Sequence, residues 1–86
     1  MKSLDCIALV TSSCMKCKNL KHDLKKDFKS IGFELNISEI VYEENPDNAM
    51  EVADKLGLDD IPACSVNGIV FKIGYGLDDV ELAAKC

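Results

Sequence analysis

At 86 residues the chain has room for a single domain, residues 1–86, and its 48% of apolar residues suffice for a core. No stretch approaches the roughly 18 apolar residues of a membrane span, so no membrane partner is expected. A formal net charge of −5 argues against non-specific nucleic-acid binding, which needs a basic footprint.

The chain opens Met1-Lys2-Ser3-Leu4-Asp5-Cys6. An acid stands where the apolar centre of a signal peptide would begin, which leads to the expectation of an intracellular, cytoplasmic protein. Residues 6–11 are a continuous apolar run ending at Ser12-Ser13, and they read as a strand buried on both faces. A helix follows. Cys17, Leu20, Leu24, Phe28 and Ile31 form a narrow apolar stripe, Lys18, His22, Lys25 and Lys29 fall on the other side, and Gly32 closes the helix. The segment is also the basic part of the chain. Residues 1–30 carry seven lysines against three acids, whereas residues 31–86 carry three lysines against 12 acids.

Residues 33–42 alternate as a second strand, with Phe33, Leu35 and Ile37 on one face. The phase then slips to Ile40 and Tyr42, which predicts a bulge near Ser38-Glu39. Asn45-Pro46 starts a second helix, with Asn as cap and Pro in the first turn. Ala49, Val52, Ala53 and Leu56 form its stripe, and Gly57 ends it. A third strand, Ala63 to Val66, runs into Asn67-Gly68, a strong hairpin signal, and returns as Ile69 to Ile73. A two-residue turn sets Val66 opposite Ile69 and Cys64 opposite Phe71. Gly74 and Gly76 bracket a further turn. Asp78 and Glu81 make a capping-box pattern for a short last helix, with Leu77 and Leu82 placed as its staple. The order is β-α-β-α-β-β-α, a mixed four-stranded α/β sheet with three helices.

Of the five cysteines, Cys14 and Cys17 carry the clearest chemistry. They lie where the first strand meets the first helix. A helix N-terminus offers unpaired N–H groups and a positive dipole end, both of which favour a thiolate, and Lys16 and Lys18 add charge nearby. A free thiol with a pKa of about 8.5 is only a few per cent ionised at pH 7, and one brought to about 7 is half ionised. Cys14 precedes the helix and is expected to be the exposed nucleophile; Cys17 heads the apolar stripe and is expected to be the shielded, resolving thiol. A closed zinc site wants four ligands, and the sequence has no second C-x-x-C, so no metal is expected; a metal or iron–sulfur site would need Cys64 or a second chain. Ile61-Pro62 stands directly before the third strand. It reads either as a simple strand start or as a cis-proline loop beside the thiols, able to pair with an incoming peptide.

Cys14-Met15-Lys16-Cys17 after the first strand, Ile61-Pro62 before the third and the Gly74/Gly76 turn before the last helix resemble the thioredoxin/glutaredoxin superfamily, and the minimal glutaredoxin-sized thioredoxins in particular. The resemblance spans about residues 5–85. It implies a thioredoxin-like fold with sheet order 2-1-3-4, a cis Pro62, and an Ile61 backbone that contacts substrate. It also implies a thiol–disulfide oxidoreductase that reduces protein disulfides. No cofactor would be needed beyond the Cys14-Cys17 disulfide, and a thioredoxin-reductase-like flavoprotein or other reductase would recharge it. The sequence departs from the family in several places. There is no tryptophan, Ser13 and Met15-Lys16 surround the cysteines, and Ala8 stands where thioredoxins bury an acid. Asp78-Asp79 follow the glycine turn where glutaredoxins bind glutathione. A metal or iron–sulfur binding module and a redox-inactive interaction protein of the same fold remain the alternatives.

The hairpin and the expected proximity of Pro62 to Cys14 set Cys64 near Val10 or Thr11. That leaves Cys6 about four residues, or roughly 13 Å, away and beyond disulfide reach. Cys6 reads as a small buried residue. Cys64 reads as core, with an auxiliary thiol or metal ligand as the alternative, and Cys86 as free and frayed.

Overall fold

A computed structural model of the chain describes residues 2–85. Seven elements follow one another: β1 (Lys2–Val10), α1 (Met15–Ser30), β2 (Phe33–Val41), α2 (Pro46–Leu56), β3 (Ala63–Val66), β4 (Ile69–Phe71) and α3 (Leu77–Lys85). The strands form one mixed sheet in the order β2-β1-β3-β4. β1 runs parallel to β2 and antiparallel to β3, and β3 and β4 are antiparallel. Class, element order and strand order are those anticipated from the sequence. Among the described residues no helix is long and apolar enough to cross a membrane.

Helices cover both faces of the sheet, and this explains the strand patterns. Cys6, Ala8 and Val10 of β1 pack with Leu20, Leu24 and Phe28 of α1 and with Val80 and Ala83 of α3. Leu9 points the other way and packs with Ala49, Leu58 and Ala63 under α2. β1 therefore buries successive residues on opposite sides and needs an unbroken apolar run. The same geometry corrects the reading of β2. Its ladder with β1 is continuous from Lys2–Phe33 to Val10–Val41, with no bulge at Ser38-Glu39. Ile40 is simply an apolar residue on the α2 face, where it packs against the smaller cluster. Glu39 takes the α1-side position and pairs with Lys21 of α1. The phase slip thus marks a strand covered on two sides, not an inserted residue.

α1 buries Cys17, Leu20, Leu24 and Phe28, as the stripe requires. Ile31 does not belong to that stripe. It is the C-cap residue and is 40% exposed, because the last turn tightens, with Ile31 N–H donating to Phe28 O at 3.1 Å. Gly32 follows at φ +89°, a conformation that costs an L side chain about 1 kcal/mol or more. α2 begins at Pro46 behind Asn45, whose Oδ1 accepts from Asn48 N–H at 3.2 Å, and Gly57 closes it in the left-handed region.

The hairpin register is the anticipated one: Cys64 faces Phe71 and Val66 faces Ile69 across Asn67 (φ +51°) and Gly68 (φ +82°). Positive φ at both residues is the type I′ geometry that matches strand twist. Asn67 has a second partner, since its Nδ2 donates to Ala83 O of α3 at 2.8 Å. β4 stops at Phe71 instead of reaching Ile73, because Tyr75 N–H turns back to Lys72 O at 3.0 Å. α3 begins at Leu77, two residues earlier than the capping-box reading allows. Asp78 and Asp79 therefore sit inside the first turn, where the positive end of the helix dipole favours their charge. Leu77 is 65% exposed, so no staple buries it. The expectation for Cys86 lies outside the described residues.

Candidate functional site

The strand-to-helix junction after β1 builds the site. Val10 ends β1, Ser13 turns the chain at φ +56°, and Cys14 in extended backbone (φ −100°, ψ 109°) becomes the N-cap of α1. The cap is a sulfur. Cys14 Sγ accepts the N–H of Cys17 at 3.1 Å, the bond that a Ser or Asp oxygen makes at ordinary N-caps. The two Cα atoms are 5.2 Å apart and the sulfurs are at disulfide distance. Cys14 is half-buried and Cys17 only 3% exposed, the asymmetry expected of an attacking and a shielded thiol.

A cleft of about 350 Å³ opens beside the pair, lined by Ser12, Ser13, Lys18, Lys21, Glu39 and Glu43 among others. Of the two lysines read as tuning groups, Lys18 lines this cleft. Lys16 does not: it is exposed on α1 outside the lining. Lys21, one turn further on, does line it and pairs with Glu39. The cleft also has an acidic side in Glu39, Glu43 and Glu44. Its field is therefore mixed, not the uniformly basic one that the charge count suggested.

Glu43 has a definite task. Its carboxylate accepts Ser12 N–H at 3.0 and 3.2 Å, and Ser12 Oγ donates to it as well. These bonds hold the Glu43 carboxyl below its ordinary value and tie the loop that carries Cys14 to the end of β2. The sequence reading missed this clamp. The signal was present, since extending the β1–β2 register past Val10–Val41 sets Ser12 level with Glu43.

Ile61-Pro62 is a cis peptide. β3 starts at Ala63, opposite Leu9 near the end of β1. Pro62 is buried. Ile61 is half-buried, and it packs against both hydrophobic clusters. It lines a separate apolar hollow with Leu9, Tyr42 and Leu58 and is not part of the Cys14 cleft. Its N–H is already engaged, donating to Asp60 Oδ1 at 2.9 Å.

Cys64 is not where the sequence reading put it. It pairs with Ala8, not Val10 or Thr11, and Cys6 pairs with Val66. The two cysteines are diagonal neighbours on one face of the sheet, each 1% exposed. The assumed four-residue separation is in fact two. The neighbouring Cys64 and burial together push the Cys6 thiol up, while Cys6 draws Cys64 down against its own burial. Among the described residues no three His, Cys, Asp or Glu side chains converge on one point.

Neither a protein-family model nor a curated protein matches the sequence. Among solved structures, one described as the structure of a malarial protein aligns over 98% of this chain and 96% of its own, with a TM-score of 0.51 at 14% identity. At that identity the likeness is one of fold alone.

Proposed function

We propose that the protein is a small thiol–disulfide oxidoreductase of the thioredoxin/glutaredoxin type, cycling Cys14 and Cys17 to reduce disulfides in protein substrates. The observation that carries this reading is the sulfur cap. Cys14 Sγ sits at the N-terminus of a 16-residue helix, accepts a backbone N–H and lies within bonding distance of a shielded second sulfur. A helix N-terminus stabilises negative charge by about 0.3–1 kcal/mol or more, and the N–H bond adds to it. Both favour the thiolate over the thiol, and the thiolate is the attacking species.

The reduced Cys14 thiolate attacks one sulfur of a substrate disulfide. A Cys14–substrate bond forms and the other substrate sulfur leaves as a thiolate. Cys17 then gives up its proton and attacks Cys14 Sγ, which closes the intramolecular disulfide and releases the second substrate thiol. Two electrons pass from the dithiol to the substrate. A reductase of the flavoprotein class, or another dithiol donor, returns them. Ile61 and Pro62 precede β3, whose first residue faces Leu9 near the end of β1, and a substrate strand would rest against the backbone there.

The test is a trapping experiment. Cys17→Ser removes the resolving thiol, so mixed disulfides should accumulate on Cys14 and survive non-reducing electrophoresis, whereas Cys14→Ser should trap none. Equal trapping by the two variants would overturn the assignment. Stoichiometric metal bound through Cys14 after anaerobic purification would favour the metal-module alternative instead.

A further inference from the structure

The lysines of α1 serve more than the dithiol. Three hollows succeed one another along the seam between α1 and β2. The first holds Cys14 and Cys17 and shares Lys18, Lys21 and Glu39 with the second. The second shares His22 and Lys25 with the third, the widest at about 640 Å³, which also contains Lys26, Lys29 and Phe33. Together they make one continuous groove from the dithiol to the far end of α1. Its floor is apolar, from Phe33, Leu35 and Ile37. Its wall is basic. Lys21 is neutralised by Glu39, but among the described residues Lys18, Lys25, Lys26 and Lys29 make no ion pair. Glu34 is the one acid in the wide section. β2, at the sheet edge, has β1 as its single strand neighbour, so its outer backbone groups border the groove.

The rest of the molecule has the opposite sign. Residues 31–86 carry 12 acids and three lysines. A long polyanion that overran the groove would meet that acidic surface, whereas a short acidic segment would not. α1, at 16 residues, is about 24 Å long, the span of roughly seven or eight extended residues.

We propose that the groove between α1 and β2 is a docking track for an extended acidic segment of the partner protein whose disulfide reaches Cys14. Lys18, Lys25, Lys26 and Lys29 supply the charge, and Phe33, Leu35 and Ile37 the apolar floor. This rests on the reading of Cys14 and Cys17 as a working dithiol.

The experiment uses the reduced full chain and two synthetic peptides. Each bears one cysteine capped as a mixed disulfide with 2-nitro-5-thiobenzoate, followed by an acidic Asp/Glu tail or an Asn/Gln tail of equal length. Attack by Cys14 releases the coloured thiolate. At low ionic strength the acidic peptide should react about tenfold faster or more, and added salt should erase the difference. The double variant Lys25→Glu/Lys29→Glu should bring the acidic-to-amide rate ratio to about one or below, while Lys55→Glu/Lys85→Glu, with the same net charge, should keep the preference. Because the ratio is taken within each variant, a general loss of activity does not distort it. Equal rates for the two peptides, alongside a normal Cys14-dependent reaction with the neutral reagent 2,2′-dithiodipyridine, overturn the track and leave the dithiol reading intact. A dithiodipyridine reaction indifferent to Cys14→Ser overturns the dithiol reading itself. A single-stranded oligonucleotide of equal charge that competes as well as the free acidic peptide overturns the assignment to a protein segment.

Discussion

Cys14 and Cys17 occupy a helix end; Cys6 and Cys64 occupy the middle of a sheet. The first pair has a half-exposed member, a backbone donor aimed at its sulfur and a cleft beside it. The second is sealed, each thiol 1% exposed and each the other's partner. The side chains are the same, and the difference lies wholly in what the backbone offers. A helix N-terminus leaves N–H groups without partners, and these welcome an anion. A sheet interior has spent its backbone donors on the ladder, so a charged sulfur there has only its neighbouring thiol to lean on. Proximity of two cysteines is therefore not enough to make a redox centre.

The sharpest way to test this contrast is one substitution made twice. Cys64→Asp buries a carboxylate without a cationic partner in the sheet, and it should cost several kcal/mol in denaturant unfolding, enough to abolish folding of so small a domain. Measured against the reduced protein, Cys14→Asp places the same carboxylate at an N-cap, where Asp is among the preferred residues, and it should shift stability by no more than about 1 kcal/mol. Similar losses at both sites would erase the distinction.

Reactivity gives the next largest difference. In the reduced protein at pH 7, Cys14 should alkylate at least about a hundredfold faster than Cys6 or Cys64, which wait for unfolding to be exposed. Peptide mapping after timed iodoacetamide pulses measures this directly. Comparable labelling of Cys6 and Cys14 would show that the sheet opens far more readily than its burial implies.

The smallest effect concerns the clamp on the Cys14 loop. The Glu43 carboxyl is held below its ordinary value of 4.5, so the folded state favours its ionised form. The contribution is complete above that value and fades as pH falls through the folded-state pKa. Hydrogen exchange at Ser12 N–H should accordingly speed up, relative to its intrinsic rate, below about pH 4, and Glu43→Gln should weaken that pH dependence. The inner pair has no such carboxylate clamp, so the Cys6 and Cys64 amides should show no matching step.

The sequence made the dithiol and the fold plain for separate reasons. Turn chemistry at Asn67-Gly68 fixed the hairpin register, and the capping residues Asn45 and Gly57 bounded α2 to the residue. Cys14 and Cys17 declared themselves by lying at the mouth of a helix. What misled was anything set by pairing between distant strands. Placing Cys64 required a register for β1 against β3, and an anchor of Pro62 beside Cys14 carried it two residues too far along β1. The supposed bulge in β2 came from the same source, since no local pattern says that a helix covers the second face. The Ser12–Glu43 clamp joins residues 31 apart and becomes legible only once the parallel register is known.

The aromatic residues carry a practical consequence. The chain has no tryptophan and two tyrosines. Tyr75 lies edge-on to Phe71, with ring centroids 5.4 Å apart, and donates its hydroxyl to Asp27 of α1. Tyr42 is 37% exposed, and its N–H donates to Val10 O at 2.9 Å, at the same end of the sheet as the dithiol. The molecule thus contains its own two optical reporters. One phenol is clamped to the core and the other lines the apolar hollow beside Ile61, with no indole emission to mask either.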